Sequence, residues 1–473
     1  MRRKLLLLAA LTVAFFFAAG SLYSVRDGPE QRIPTTLNEQ KQQQKQQQLH
    51  HGEDHEPQTQ DVGGSAKATS HPSDGQVLSA SNITTYLDAI FRRKETSLPN
   101  LTCPTPDKAR YETLKAALGR RRAPRPPVPA VRYFFAVDLR QNLPLLPRLI
   151  GSVVEVARFL GPEACALSIV EGNSDDGTGD VLAALEPELA RLGVAYFYRA
   201  SAIDPSRGDR IRKLAELRNL ALEPLVSGRV RAVSGNTKDD RKDDRKDDDD
   251  DTTVVFLNDV AICPDDILEL LLQKRALAAD MTCAMDWTYV GRDPTFYDVW
   301  VARGITGDSF FEIPPDGNWN SAWNLFWNDA ASQARLAARR PFQVFACWNG
   351  AAAFTARPLL ERDPRRRVAF RAPDRERGEC DQGEPQLFCK DLWHRGYGRI
   401  AVVPAVNLEY SVDRARDIKE LKGYTAENVR GGDSGEDQGG AGRFTWQREP
   451  PGEVKCMPVW ENQFWRPWNE GLS

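Results

Sequence analysis

Apolar and polar positions alternate along residues 131–277 in a way that predicts strands and helices in turn. Short apolar runs typical of buried strands lie at 131–137, 165–171, 194–198 and 253–257. Segments with helical spacing lie at 143–161, 180–193, 211–223 and 265–277. This order predicts an α/β fold, a Rossmann-like and mostly parallel sheet with helices on both faces.

Polar residues follow the predicted strands. Asp138 comes after the first, Glu171 ends the second and leads into the turn of Asp176, and Asn258 and Asp259 follow the fourth. Parallel sheets bind ligands at the carboxyl ends of their strands. Acidic groups beside a phosphate require a cation such as Mg²⁺ or Mn²⁺ between them. The alternative is that these residues only form turns and helix caps.

The N-terminus has the pattern of a membrane anchor. Residues 1–4 are basic after the initial Met, and residues 5–25 are uncharged and long enough to match the roughly 20 residues of a spanning helix. The flanking charge predicts a cytoplasmic tail of residues 1–4 and a lumenal remainder. A cleaved signal peptide is the alternative, and both interpretations place the protein in the secretory pathway.

Residues 26–130 are predicted to be a disordered stem with a Pro-rich linker, because Gln, Lys, Ser and Pro dominate this stretch. Some helical periodicity appears at 81–118. Two glycosylation sequons begin at Asn82 and Asn100 and agree with lumenal exposure.

The composition argues against several classes of function. The net charge of −3 gives no basic field for nucleic acid. Of five His, only His394 lies after residue 71, which argues against a multi-His metal site or a His-based triad. The eight Cys contain no CxxC pair, which argues against a zinc site, and their disulfide pairing stays open.

Six motifs together resemble a known enzyme family. They read EGNSDDGT at 171–178, RKLAELRN at 212–219, VVFLNDVAIC at 254–263, FYDVWVARGITGDSFF at 296–311, FACWNGAAAF at 345–354 and GECDQGEPQLFCKDLW at 378–393. The set resembles the fungal capsule-associated α-1,3-mannosyltransferases of the cryptococcal type, glycosyltransferase family 69. The resemblance covers about residues 131–412.

The resemblance implies a GT-A-like catalytic domain at 131–412 in a single-pass type II Golgi membrane enzyme. Such an enzyme transfers mannose from GDP-mannose to a mannoside or polysaccharide acceptor, in α-1,3 linkage and with retention, using Mn²⁺ or Mg²⁺. A different class stays open: a non-catalytic scaffold that binds glycan or serves polysaccharide export.

Several residues are candidates for binding the nucleotide sugar. Asp259 is the candidate metal ligand, although Leu257 stands where GT-A enzymes carry a first Asp. His394 could complete the metal shell, and a place on a helix surface is the alternative. The candidate nucleotide-sugar contacts are Glu171, Asp176, Arg218, Asn219 and Asn258.

The acceptor side has its own candidates. Aromatic faces and a close backbone approach suit a hexose, which selects Trp300, Trp348, Asn349 and Gly350, with core packing as the alternative. Glu384 and Asp381 are the catalytic candidates, as a general base in an inverting enzyme, or as a nucleophile or a group that stabilises an oxocarbenium-like state in a retaining one. A helix-capping role is the alternative for Glu384.

Two further segments complete the division of the chain. Residues 238–251 form an acidic, low-complexity run that we interpret as a surface insertion. Residues 413–473 contain a Gly-rich loop and an aromatic tail, which docks either on the domain or on glycan.

Overall fold

The computed structural model describes residues 73–92, 96–115, 130–232, 252–430 and 445–472. The predicted cytoplasmic tail and anchor, most of the stem, the acidic insertion and the Gly-rich loop lie outside these residues. Within the described ranges, no helix combines the length and apolar character that crossing a membrane requires.

Fourteen strands form among the described residues. They are β1 (Ala130–Val131), β2 (Tyr133–Leu139), β3 (Cys165–Glu171), β4 (Ala195–Ala200), β5 (Arg231–Ala232), β6 (Thr253–Leu257), β7 (Met281–Val290), β8 (Asp293–Phe296), β9 (Arg303–Gly304), β10 (Phe342–Ala346), β11 (Ala351–Thr355), β12 (Ile400–Leu408), β13 (Glu453–Val459) and β14 (Asn462–Pro467).

The α-helices of the described ranges are α1 (Ala80–Leu87), α2 (Lys108–Tyr111), α3 (Leu146–Leu160), α4 (Thr178–Ala183), α5 (Glu186–Leu192), α6 (Arg210–Val226), α7 (Pro264–Ala276), α8 (Ala330–Ala337), α9 (Glu384–His394), α10 (Val412–Lys422) and α11 (Thr425–Asn428). The predicted helix at 180–193 is two helices, because Pro187 starts a new first turn in α5.

A ten-stranded sheet forms the centre of the domain, in the order β4-β3-β2-β6-β11-β7-β12-β10-β9, with β8 beside β7. Strands β4, β3, β2 and β6 are parallel, and so are β7 and β12. Strand β11 runs antiparallel between β6 and β7. This topology confirms the predicted α/β class with a mostly parallel sheet.

Helices cover both faces of this sheet. The apolar residues of α3 and α7 pack on one face, and those of α6 and α9 pack on the other. All seven residues of β3 and all five of β6 are buried. Continuous apolar strands of this kind are typical of a sheet covered on two sides.

The predicted stem is wrong in its C-terminal part, because residues 73–92 and 96–115 pack on the domain. Ile83, Ile90 and Leu101 are buried in the same core as α3. The Asp180 carboxylate accepts hydrogen bonds from the backbone of Gln76, Val77 and Leu78 at 2.7–2.8 Å. Apolar side chains spaced along α1 therefore find a partner surface, which a disordered stem lacks.

The predicted domain also ends too early at residue 412. Helix α10 continues the domain, and the Nζ of its buried Lys419 donates to Asp266 at 2.7 Å. Beyond it, β13 and β14 form a hairpin that docks on the domain. The aromatic tail therefore docks on the domain, which is one of the two arrangements expected from the sequence.

Three disulfides link distant parts of the described chain: Cys103–Cys263, Cys283–Cys347 and Cys380–Cys456. Cys165 and Cys389 are buried free thiols. The first disulfide fixes the N-terminal segment to α7, and the last fixes the hairpin to the loop before α9. Both extensions are therefore covalently part of the domain.

Glu379 is expected to make the free energy of unfolding fall at low pH. Its buried carboxylate accepts from Arg371 at 2.6 Å and from Lys390 at 2.7 Å. Burial by itself raises the pKa of Glu379, but these two cations lower it to about 2. Stabilisation is therefore complete above the unfolded pKa of about 4.3 and is lost as the pH falls towards 2.

We expect Glu379→Gln to lower the free energy of unfolding by about 2–3 kcal/mol at pH 7. The difference from the unmodified protein should shrink below about pH 4 and vanish only below the folded-state pKa of about 2. Urea unfolding at several pH values measures it. Asp381→Asn is the control, because Asp381 is 45% exposed and such pairs contribute less than about 1 kcal/mol. A difference that stays constant with pH would contradict the assignment.

Candidate active site

The carboxyl ends of three neighbouring strands bring Asp138, Glu171 and Asp259 to one edge of the sheet. In the parallel register, Leu139 lies beside Glu171 and Val137 lies beside Leu257. Asp138 and Glu171 lie in the last residues of β2 and β3, Asp259 follows β6, and the burial of these strands fixes all three positions. The expected gathering of polar groups at this edge is therefore present in the structure.

Asp259 lies half-buried just beyond β6. Burial raises the pKa of Asp259 to about 6, and the neighbouring charge of Asp138 acts in the same direction. Hydrogen bonding from Asn142 and the charge of Arg218 oppose this rise. The charge of Asp138 therefore acts against ionisation of Asp259, an arrangement that a cation would stabilise.

Arg218 extends from α6 into the centre of the site and is 7% exposed. Its Nε donates to Glu384 at 2.8 Å, and a terminal nitrogen donates to the Asn258 side-chain oxygen at 3.3 Å. Burial lowers the pKa of its guanidinium, but Asp138, Glu384 and Asp298 outweigh burial and raise it. Arg218 is thus a permanent cation among carboxylates.

Glu384 is the first residue of α9 and is 3% exposed. Its carboxylate pairs with Arg218, so the helix N-terminus is not its only partner. This pair joins α9 to α6 below the same edge. The contact that the structure shows for the Glu384 carboxylate is therefore this ion pair, and its place in the first turn of α9 is favourable for a negative charge as well.

Two carboxylates that the sequence did not single out complete the cluster: Asp298 is half-buried and Asp286 is fully buried. Asp298 accepts the backbone N–H of Asn349 at 2.8 Å. Burial raises the pKa of Asp298 to about 6, helped by Glu384 and opposed by Asn349, Arg218 and Arg303. It is a candidate for moving a proton near neutral pH.

Asp286 is the second of these carboxylates. It is fully buried, and the Tyr410 hydroxyl donates to its Oδ2 at 2.6 Å. Its Oδ1 has no hydrogen-bond partner among the described residues. Burial and the charge of Asp298 hold its pKa well above the usual range. Asp286 lies within the largely apolar sequence of β7, and a carboxylate in such a strand is a signal that could have identified it.

The residues selected as a sugar platform have different surroundings. Trp348 is 1% exposed, and its Nε1 donates to the Asn258 side chain at 2.9 Å. Its ring lies against Phe256, Phe370 and the Arg218 guanidinium, with the guanidinium carbon 4.7 Å from the ring centroid. The structure therefore gives this indole a packing role, the alternative weighed for it.

Asn349 and Gly350 shape the turn into β11. Both have positive φ, 57° and 78°, and a Cβ on Gly350 would lie 3.0 Å from Val260 Cγ1. The Asn349 side chain donates to the Ala284 carbonyl at 2.8 Å. Trp300, by contrast, is half-buried and stacks on Trp460 with ring centroids 4.0 Å apart.

The remaining nucleotide candidates lie in two places. Glu171 is buried and accepts the Ser174 N–H at 2.7 Å, while Asp176 accepts from Leu143 and Thr178. Both order the loop after β3. Asn219 exchanges two hydrogen bonds with the Phe370 backbone at 2.8 and 3.1 Å, which fixes a loop near α9.

Other candidates lie away from the Arg218 cluster. Asp381 is 45% exposed and pairs with Arg375 at 2.9 Å. His394 is at the other end of α9 from Glu384, roughly 15 Å along the helix. Asn82 and Asn100 are exposed, as glycosylation requires.

The oxygens at this edge fit a divalent cation. Asp138 and Asp259 offer two carboxylates, and Mg²⁺ is commonly bound by one or two carboxylates with phosphate and water supplying the rest. Across the described ranges, no three His, Cys, Asp or Glu side chains converge as a preformed metal cage. The fit is therefore that of a cation shared with a bound diphosphate.

The family model described as Cryptococcal mannosyltransferase 1 matches residues 132–391. The chain belongs to this family of mannosyltransferases. The match spans β2 to α9 and includes Asp138, Arg218, Asp259 and Glu384. The resemblance stated from the motifs is confirmed.

One relative of this chain is a mannosyltransferase from Cryptococcus neoformans. The chain is 36% identical over 357 residues to "Alpha-1,3-mannosyltransferase CMT1" of Cryptococcus neoformans, covering 72% of this chain and 73% of the relative. The chain is therefore a glycosyltransferase, and the sugar that its family transfers is mannose.

Solved structures with similar folds include S. aureus TarS 1-349, at 12% identity and a TM-score of 0.31, covering 64% of this chain and 66% of that one. Another is the mannosyltransferase PcManGT from Pyrobaculum calidifontis in complex with GDP-Man and Mn2+, at 12% identity and a TM-score of 0.32, covering 66% of each chain. With TM-scores this low, they support no conclusion about this chain's function.

Proposed function

We propose that this chain is a retaining α-1,3-mannosyltransferase that takes mannose from GDP-mannose and adds it to a mannoside or polysaccharide. The 36% identity to a protein named for that linkage carries the proposal. The carboxyl-edge cluster supports it, since Arg218, Asp259 and Glu384 lie within the family match.

The proposed reaction breaks the bond between the donor's anomeric carbon and the diphosphate oxygen. A new bond forms from that carbon to an acceptor hydroxyl oxygen on the same face, and the hydroxyl proton leaves with the diphosphate. A Mn²⁺ or Mg²⁺ ion held by Asp259 and Asp138 would supply positive charge to that leaving group.

The chain's own residues have separate parts in this proposal. Arg218 holds Asn258 and Glu384 in place and adds a fixed positive charge near the diphosphate. Glu384 lies on the sugar side, where a carboxylate stabilises positive charge at the anomeric carbon. Glu171 and Asp176 order the loop that would meet the base and ribose.

We further propose that the protein is a single-pass type II Golgi membrane protein with this domain in the lumen. Three disulfides among the described residues are typical of oxidising compartments. The uncharged run at 5–25 and the exposed sequons at Asn82 and Asn100 agree with this placement.

The disulfides provide a direct test of that placement. We expect the protein isolated from its native cells to show six oxidised cysteines and two free thiols, with the free thiols alkylated only after unfolding. Alkylation with and without reductant, followed by peptide mass mapping, measures this. Eight reduced cysteines in freshly quenched cells would argue for a reducing compartment.

The activity is tested with the purified full chain, GDP-mannose, Mn²⁺ and mannobiose. We expect GDP release that requires both the acceptor and the metal, and a trisaccharide whose new linkage is α-1,3 by NMR. UDP- and GDP-glucose are the donor controls. Glycan binding without turnover would overturn the enzyme proposal in favour of the scaffold alternative.

A further inference from the structure

The turn at Asn349 and Gly350 lies in the connection between β10 and β11, against the end of β6. The Gly350 carbonyl accepts the backbone N–H of Asn258 at 2.9 Å, and Asn258 directly precedes Asp259. A Cβ on Gly350 would lie 3.0 Å from Val260 Cγ1, so the turn also approaches the residue on the other side of Asp259. The position of this turn therefore helps to fix the candidate metal ligand.

Asp298 holds this turn through a backbone hydrogen bond. Its Oδ2 accepts the N–H of Asn349 at 2.8 Å. Asn349 has a φ of 57°, a conformation that a residue with a side chain adopts mainly where its surroundings hold it. A second contact, from the Asn349 side chain to the Ala284 carbonyl at 2.8 Å, holds the turn from β7. Because Asn349 is fully buried, water cannot replace either partner.

Asp286 lies beside the same turn, on β7. Its Cβ is 3.4 Å from the position that a Cβ on Gly350 would take. Its backbone carbonyl accepts the N–H of Tyr297, the residue before Asp298, at 3.1 Å. Asp286 therefore contacts both the turn and the segment that carries Asp298.

The surroundings of the Asp286 side chain suit a neutral carboxylic acid. Its Oδ2 accepts from the Tyr410 hydroxyl at 2.6 Å, while its buried Oδ1 has no hydrogen-bond partner among the described residues. A charged carboxylate here would leave one oxygen without compensation, whereas a neutral acid has an O–H group that can donate. Burial holds the pKa of Asp286 well above its usual range, and the charge of Asp298 acts in the same direction.

Asp298 has different surroundings, because two buried cations act on it. Burial raises the pKa of Asp298, and the charges of Arg218 and Arg303 oppose that rise. Arg303 is fully buried, and its Nε donates to the Lys455 carbonyl at 2.9 Å, so this cation is fixed in place. At Asp286, hydrogen bonds and not cations oppose the effect of burial. A single negative charge on the two carboxyl groups is therefore expected on Asp298.

Other groups that can carry a charge face the two carboxyl groups or their immediate contacts. They are Arg218 on α6, Arg303 on β9, Glu384 and Cys389 on α9, Tyr297 before Asp298, and Tyr410 before α10. Burial raises the pKa of Tyr410 and of Cys389, so both stay neutral near pH 7. A second negative charge at Asp286 would add to that of Glu384 and act against the ionised Asp298.

We propose that Asp298 and Asp286 act together as positioning residues for mannosyl transfer, with Asp298 ionised and Asp286 neutral. Asp298 holds the turn at Asn349, and the turn holds Asn258 and Asp259 in the arrangement that receives the nucleotide sugar. In this arrangement neither carboxyl group needs to touch the substrate. The inference rests on the proposed function in one respect, because it takes the Asp259 edge as the site of the donor and its cation.

Asp298→Ala is expected to raise the KM for GDP-mannose and the Mn²⁺ concentration for half-maximal turnover by about tenfold each, because the turn loses a charge-assisted hydrogen bond. Asp298→Asn keeps an oxygen that can accept the Asn349 N–H, so it should recover part of both losses. Asp308→Asn is the matched control, since Asp308 is a 7% exposed acid whose ion pair is with Lys455 on β13. It should lower thermal stability and leave both constants unchanged.

Asp286→Asn imitates the neutral acid and should keep kcat/KM at pH 7 within about twofold of the unmodified protein. Since the pKa of Asp286 is raised, the unmodified side chain is neutral below that pKa and charged above it. The fall in kcat/KM at alkaline pH should therefore move to higher pH or disappear in the variant, as measured between about pH 6 and pH 9. A loss at pH 7 as large as that of Asp298→Ala would show that Asp286 acts as an anion and would overturn the neutral assignment.

Calorimetric binding of GDP with Mn²⁺, without acceptor, separates this inference from the proposed function. The positioning role stands and the proposed transfer fails if the unmodified chain binds GDP and Mn²⁺ without transferring mannose, while Asp298→Ala but not Asp308→Asn weakens that binding. The positioning role is wrong if the unmodified chain transfers mannose and Asp298→Ala changes neither binding nor KM. Equal changes in the two variants would give Asp298 a role in stability alone and overturn the inference.

Discussion

Asp259→Asn is expected to lower metal-dependent turnover by about 100- to 1,000-fold while the domain stays folded. The substitution is nearly isosteric and removes one of two carboxylates at the sheet edge, so the cation loses charge stabilisation. It also removes the repulsion from Asp138, which adds to the effect of burial in raising the pKa of Asp259 to about 6. Turnover against Mn²⁺ concentration and thermal unfolding measure the two effects.

Glu384→Gln is the companion to that variant. It should reduce turnover but leave GDP and metal binding near normal, because we place Glu384 on the sugar side. Unchanged Mn²⁺-dependent turnover in Asp259→Asn would show that the metal assignment is wrong. The two variants together separate loss of the cation from loss of the sugar-side carboxylate.

Replacing Arg218 should have the largest combined effect on stability and activity. Arg218→Met leaves Glu384, Asp138 and Asp298 without their shared cation, and removing one partner of a buried pair costs about 3–5 kcal/mol. Its Asn258 contact is lost as well. We expect turnover to become undetectable. Urea unfolding and turnover are the measurements.

A double-mutant cycle shows whether the pair itself is responsible. Arg218→Met with Glu384→Gln should recover part of the stability, because no uncompensated carboxylate remains at Glu384. Activity should stay lost. The exposed pair of Arg375 and Asp381 is the control, where the same cycle should give an interaction energy below about 1 kcal/mol. Additive effects at Arg218 and Glu384 would contradict the coupling.

The local pattern of apolar residues was enough to predict the strands that are buried along their whole length. β3 and β6 have the predicted bounds, because every one of their residues is buried and polar groups end each run. Asp259 and Arg218 could be selected for the same reason, since a strand or helix fixes each of them. Here, sequence neighbours and spatial neighbours coincide.

The sequence could not show which side chains meet across long separations. Asp298 becomes a site residue only because β11 brings Asn349 beside it, and Trp348 is buried only because Phe256 and Phe370 close over it. Likewise, nothing near Cys103 indicates that Cys263 is its partner. The antiparallel placement of β11 between β6 and β7, like the disulfides, depends on the whole fold. The spacing of apolar residues along a short segment does not encode it.

The Cys380–Cys456 disulfide determines how the protein can be shortened. A form that ends before residue 445 would remove Cys456 and leave a reactive thiol at Cys380, four positions from Glu384. It would also remove the Lys455 carbonyl that Arg303 contacts. Such a fragment would be an altered enzyme prone to intermolecular crosslinking, so expression of this domain should retain the chain to its last residues.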